Sequence, residues 1–240
     1  MKLLVSVVDA GEARAAAAAG AEVVDVKNPA EGSLGAPSPT VIADVRAAVP
    51  AELPVSAAIG DMPNLPGTAA LAALGAARSG ATFVKVGLWG VSTEPEAIAL
   101  LRTVRDGVAH VPGVVVVAAA YADSQRVPHA PLPPELLPRV AHAAGVGACL
   151  LDTAVKDGRG LLEWLSPDAL ASLVAEAHAA GLQIALAGAL RLEDLAVVRD
   201  AGADIAGVRS AACRDDRRSG DLDAERVRAL RYASAGESMS

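Results

Sequence analysis

Eight short β-type runs alternate with eight helical stretches along 240 residues, an alternation that predicts a single closed (β/α)8 barrel. Two further observations agree with it. The β-type runs are almost continuously apolar, as strands of a parallel sheet are when helices cover its outer face. Glycines follow the helical stretches at Gly20, Gly80, Gly145, Gly181 and Gly202, where left-handed C-caps belong.

In chain order, the expected strands cover residues 3–8, 22–26, 54–59 and 82–86, then 114–119, 148–152, 183–187 and 204–208. The expected helices cover 12–19, 39–48, 67–79 and 94–109, then 134–144, 167–180, 192–200 and 223–232. The joints AAGA, SGAT, AAGV and DAGAD read as helix-to-strand turns. An open doubly wound sheet is the runner-up, but no GxGxxG follows the first strand. No domain boundary is visible. One barrel domain over residues 1–232 is expected, followed by a small, polar, frayed tail over 233–240.

Hydrophobic residues make up 52% of the chain and aromatics 2%, so aliphatic side chains must fill the core. A formal charge of −7 argues against a general nucleic-acid surface, yet leaves room for a small basic pocket. Cys149 lies in an apolar strand and reads as core; Cys213 reads as a free thiol in a loop. Without a CxxC or a paired framework, a reducing cytoplasm fits best. No apolar run reaches membrane-spanning length, and the N-terminus enters a strand almost at once. The expected partners are a small phosphorylated substrate and further copies of the chain, with neither nucleic acid nor membrane.

In a parallel barrel, chemistry sits at the C-terminal ends of the strands. Three of the four lysines fall there: Lys27 after the second strand, Lys85 within the fourth and Lys156 beyond the sixth. An isolated lysine is ordinarily a solvated surface charge. Lys85 sits in the apolar run FVKVG, where a charge needs a reason. Asp25 and Lys27 are two apart and so share a strand face; Asp152 ends the sixth strand four residues before Lys156. Strands two, four and six supply the same interior layers, so these five groups are expected to converge.

Converging lysines have a chemical use. A free amine has a pKa of about 10.4 and is mostly protonated at neutral pH. A neighbouring ammonium and burial both favour the neutral form, which can attack a carbonyl and form an imine. Asp25 and Asp152 are suited to moving the protons such chemistry demands. The plainer alternative is that the lysine–aspartate pairs only tie strand ends together.

Loops after the seventh and eighth strands commonly build a phosphate site in barrels. Here they read AGALR, with Gly188, Ala189 and Leu190, and GVRSAAC, with Arg209, Ser210 and Ala211. Small residues expose backbone N–H groups, and Arg209 can add a positive fork. The loop after the second strand offers Gly32, Ser33 and Gly35 as a second anion cradle. No metal or other cofactor is expected, because His110, His129, His142 and His178 fall on helices or in a proline-rich loop. Asp215 and Asp216, among Arg214, Arg217 and Arg218, read as a solvated charged loop.

The segments LLVSVVDAGEA, DVKNPAEGSLGA, AAIGDMPNLPGT, FVKVGLWG, LLDTAVKDGRGLLEWL, ALAGALR and IAGVRSAAC span nearly the whole chain in order. With them the sequence resembles the (5-formylfuran-3-yl)methyl phosphate synthase family of methanofuran biosynthesis. The resemblance implies a (β/α)8 barrel joining two glyceraldehyde 3-phosphate molecules into a furan aldehyde monophosphate, with release of phosphate and water. It implies the Schiff-base lysine at Lys27, with supporting roles for Asp25, Lys85, Asp152 and Lys156. The Ala/Arg-rich, lysine-poor composition departs from the lysine-rich chains of methanogens. It points the furan product toward another pathway, such as a one-carbon cofactor or a furan-containing secondary metabolite. Two other readings stand beside this one: a metal-independent class I aldolase for another sugar phosphate, and a non-enzymatic sugar-phosphate sensor.

Overall fold

The computed structural model describes residues 1–61, 63–128 and 131–237. Eight strands form its sheet: β1 (Lys2–Val7), β2 (Val23–Val26), β3 (Val55–Ala58), β4 (Phe83–Gly87), β5 (Val115–Tyr121), β6 (Ala148–Asp152), β7 (Gln183–Leu186) and β8 (Ile205–Val208). All neighbours are parallel, and β8 pairs back onto β1 through Lys2↔Ile205 and Val5↔Val208, closing the barrel. Eight helices cover it: α1 (Ala10–Ala18), α2 (Pro39–Ala48), α3 (Pro66–Arg78), α4 (Glu94–Val108), α5 (Leu137–Ala144), α6 (Pro167–Ala179), α7 (Asp194–Asp200) and α8 (Ala224–Ala235). The expected barrel, rather than the open sheet, is the fold.

Strand alternation divides the apolar residues into two cores. Val24 and Val26 point outward into the cluster shared with the helices, which also holds Val5, Val7, Ile42 and Val45. Val23 points inward and packs in the barrel lumen with Leu4, Leu150 and Ile205. Asp25 and Lys27 are in phase with Val23, so the inward face of β2 turns from apolar to charged toward its C-terminal end.

Local signals set the boundaries. Asp9 caps α1 by accepting from Glu12 N at 2.8 Å, and Ser38 and Ser166 cap α2 and α6 likewise. The five expected C-cap glycines all take positive φ, as Gly145 does at 70°. Two differences have simple causes. The expected helix over 134–144 is split into a 3-10 turn, Pro134–Leu136, and α5, each beginning next to a proline that can donate no hydrogen bond. Helix α8 continues past residue 232 to Ala235, because the Ser234 side chain is buried and donates to Arg231 O at 2.8 Å. Part of the expected tail is therefore helical; residues 238–240 lie outside the described residues. Among the described residues no helix is long and apolar enough to cross a membrane.

Candidate active site

The five groups expected to converge do so at the C-terminal mouth of the barrel. Lys27 follows β2 directly, and its backbone N–H continues the ladder by donating to Val7 O at 3.0 Å. Its Nζ lies 3.9 Å from Asp25 Oδ2 and 3.5 Å from Asp152 Oδ2. Lys85, on β4, forms a tight ion pair with the other Asp25 oxygen. Lys156 donates to Asp152 Oδ1 at 2.7 Å and to Thr153 Oγ1 at 3.1 Å. Charges thus alternate across the mouth in the order Lys85, Asp25, Lys27, Asp152, Lys156. The side chains of Lys85, Lys27 and Lys156 are 4%, 11% and 23% exposed, so the array runs from buried to open.

Ser6 and Thr153 complete it. Ser6 Oγ, on β1, donates to Asp25 Oδ2 at 2.9 Å. Thr153 N donates to Asp152 Oδ1 at 2.7 Å. The loop carrying Lys156 is fixed from the β5 side, where the buried Asp123 carboxylate accepts from Ala154 N at 2.6 Å and Val155 N at 2.9 Å. A polar residue inside a strand or just past one is the sequence signal for Ser6 and Asp123, and neither was singled out by it.

The electrostatics divide the groups into titrating and fixed. Burial pulls the Lys85 pKa down to about 8, with Lys27 helping and Asp25 opposing. Burial likewise lowers Lys156, against the pull of Asp152. Burial alone would raise Asp152. The ammonium groups of Lys156 and Lys27 and the hydrogen bonds it accepts outweigh that, holding it well below the usual carboxylate range. The two cations thus favour the charged form of Asp152.

The array lines a cavity of about 230 Å³ that runs from the lumen residues Leu4, Val23 and Ile205 to Gly188, Ala189, Arg209, Ser210 and Arg218 at the mouth. Gly188 has φ 109°, and a Cβ there would stand 3.0 Å from Thr153 Cγ2, so only glycine suits the turn. Ala189 follows at φ 49°, a left-handed conformation that costs an alanine energy. This strained pair turns the backbone against the cavity.

Arg209 takes a different role from the expected phosphate fork. Its guanidinium donates to Ser6 O at 3.0 Å, to both Glu12 oxygens, to Arg218 O at 3.0 Å and to Gly220 O at 3.1 Å. All five N–H donors of an arginine are thereby engaged. It clasps α1, β1 and the loop after β8 while lining the cavity. Gly32 and Ser33 do not line the cavity: Ser33 is buried with Oγ donating to Thr153 O at 2.8 Å. The charged loop is also less solvated than expected. Residues 214–217 are exposed, but Arg218 folds back to the mouth and donates to Gly32 O at 2.7 Å and Ser33 O at 3.2 Å.

His142 bonds to Ala180 O and His178 to Asp204, both away from the mouth, while His129 lies outside the described residues. Cys149 is core, as expected; Cys213 is buried too, and burial raises both thiol pKa values.

Charged groups gathered over a cavity at the C-terminal ends of barrel strands are the arrangement of a (β/α)8-barrel enzyme. Comparison with known proteins narrows this. The model of the family described as 4-HFC-P synthase matches residues 3–231, and the chain belongs to that family. The (5-formylfuran-3-yl)methyl phosphate synthase of Methanocaldococcus jannaschii is 46% identical over 233 residues, covering 96% of this chain and 98% of that one. The Methanopyrus kandleri protein of the same name is 48% identical over 236 residues, covering 98% and 99%. Among solved structures, a 3-hexulose-6-phosphate synthase superposes with a TM-score of 0.63 at 19% identity, covering 97% of this chain and 99% of that one. That last likeness is one of fold.

Proposed function

We propose that the protein condenses two molecules of glyceraldehyde 3-phosphate into (5-formylfuran-3-yl)methyl phosphate through a Schiff base on Lys27. The names of its relatives support the product, and the triose substrate comes with that reading. In atoms, two triose phosphates become one furan aldehyde monophosphate, one inorganic phosphate and two waters. The Lys27 amine adds to a substrate carbonyl and one water leaves, giving an imine; loss of the adjacent C–H proton to a neighbouring base turns it into an enamine, whose carbon supplies the electron pair for the new bond to the second aldehyde. Hydrolysis of the last imine returns that water and frees the lysine. Eliminating phosphate makes the overall reaction that of a carbon–oxygen lyase.

The observation that carries this assignment is the looseness of Lys27. It faces two carboxylates at ion-pair distance rather than hydrogen-bond distance, whereas Lys85 and Lys156 are each bound tightly to one. An amine that must turn toward a carbonyl benefits from such loose partners. Lys85, with a pKa of about 8, exchanges protons near neutrality, and Asp25 lies between it and Lys27. Asp152 holds Lys156 at the mouth. The strained Gly188–Ala189 turn and Ser210 supply the first phosphate cradle, with Arg209 bracing the loop behind it.

The test is incubation with glyceraldehyde 3-phosphate alone, followed by ultraviolet spectra and phosphate assay. A furan chromophore with phosphate release is expected. An aldol product without phosphate would instead support a class I aldolase of another sugar phosphate, which the same lysine could serve.

A further inference from the structure

We infer that Arg218 forms a second anion subsite at the mouth, beside the β2 loop, and that it seats the phosphate of the second triose. This rests on the two-triose reading above and extends it to a residue that reading does not use. Two phosphorylated substrates bring two dianions into one cavity. Their mutual repulsion requires a separate seat for each. The Gly188–Ala189 turn offers one. The arginine expected beside that turn, Arg209, has every donor engaged within the protein, and the β2 loop expected at the second has no cation of its own.

Arg218 is placed differently. Like Arg209 it lines the cavity, but among the described residues only its Nη2 is engaged, reaching across to Gly32 O and Ser33 O on the β2 loop. Among the described residues, its Nε and Nη1 meet no protein acceptor. Its half-buried guanidinium has lost part of its hydration, and burial is the main cause lowering its pKa. An anion restores what solvent no longer supplies, through the charge-assisted bonds that a guanidinium fork makes best.

The surrounding charge is of the right sign. Lys27, Lys85, Lys156 and Arg218 line the cavity with the carboxylates of Asp25 and Asp152, so cations outnumber anions among these groups. Asp216 pairs with Arg226, while Asp61, held by the Tyr121 hydroxyl and Leu34 N, acts on Arg218 by its charge as Asp152 does.

Calorimetric titration with inorganic phosphate tests this without turnover, so it does not depend on whether a furan is made. Wild-type protein should take up two equivalents. Arg218→Met should retain one and bind the other at least tenfold more weakly. Arg218→Lys, which keeps a point charge without the fork, should fall between them and serves if the Met variant does not fold. The inference is overturned if wild-type protein takes up one equivalent or none. It is also overturned if both variants keep two equivalents at unchanged affinity; faster amide exchange at Gly32 and Ser33 would then mark Arg218 as a loop latch only. A protein that loses one equivalent on Arg218 substitution yet makes no furan upholds the subsite and refutes the synthase reading.

Discussion

Lys27 Nζ stands 3.5 Å from Asp152 Oδ2, and the same carboxylate holds Lys156 through its other oxygen at 2.7 Å. One fixed anion thus serves two cations. Replacing it by Asp152→Asn leaves two ammonium groups facing each other in a partly buried site. Removing one partner of a buried ion pair costs about 3 kcal/mol or more. Chemical denaturation of the variant should show a loss of that order, and activity should fall at least a hundredfold at every pH. Wild-type stability in Asp152→Asn would show that the anion is dispensable.

Lys85 sets the pH dependence. Its pKa in the fold is about 8, against an ordinary value of 10.5. If its neutral form accepts a proton during turnover, kcat/KM should rise as pH is raised through about 8. The rise should vanish in Lys85→Arg, which does not titrate there. The same shift has a consequence for stability, with a defined sign. Holding Lys85 protonated in the fold is unfavourable at and below pH 8, and the penalty is relieved between pH 8 and 10.5 as the folded group stays neutral. Wild-type stability should therefore gain on that of Lys85→Met across this interval. A flat difference between the two proteins would contradict the lowered pKa.

Arg209 and Glu12 should behave as a structural couple. The pair is nearly buried, with side chains 8% and 14% exposed, and joins α1 to the loop after β8. Arg209→Ala and Glu12→Gln should each destabilise the fold by about 3 kcal/mol. The double variant should cost far less than their sum, because each single change leaves the other charge unpaired. Additive losses in a denaturation cycle would show that the two residues act separately.

Asp123 touches no lysine, yet it holds two successive N–H groups of the loop bearing Lys156. Asp123→Ala should accelerate amide exchange at Ala154 and Val155 and lower kcat roughly tenfold, as a misplaced group does. If exchange quickens while kcat is unchanged, the position of Lys156 matters little to the reaction.

The fold was legible because a parallel barrel repeats one local pattern, and each repeat carries its own strand, helix and glycine cap. The lysine–aspartate array was legible for a related reason: strand periodicity alone orients Asp25 against Lys27, and a charge inside FVKVG has no bland explanation. The anion-binding groups were harder to read, since they depend on long loops whose course no local pattern dictates. Arg209 and Arg218 lie nine residues apart in one such stretch and look equivalent in sequence. Both reach the cavity, and only the fold brings Glu12 to consume the first while, among the described residues, the second is engaged through Nη2 alone. Ser33 shows the same limit, its hydroxyl being taken by a carbonyl 120 residues away.

Covalent trapping on Lys27 tests the proposed chemistry most directly. Borohydride added during turnover of glyceraldehyde 3-phosphate should reduce the imine, fix substrate carbons onto the peptide containing Lys27 and inactivate the protein. Lys27→Arg should abolish the adduct while keeping the fold, because guanidinium retains the charge without a neutral nucleophile. Lys85→Arg and Lys156→Arg should slow turnover and still allow some trapping at Lys27. An adduct on Lys85 or Lys156 would contradict the assignment of the nucleophile, and the absence of any lysine adduct during turnover would contradict the Schiff base itself.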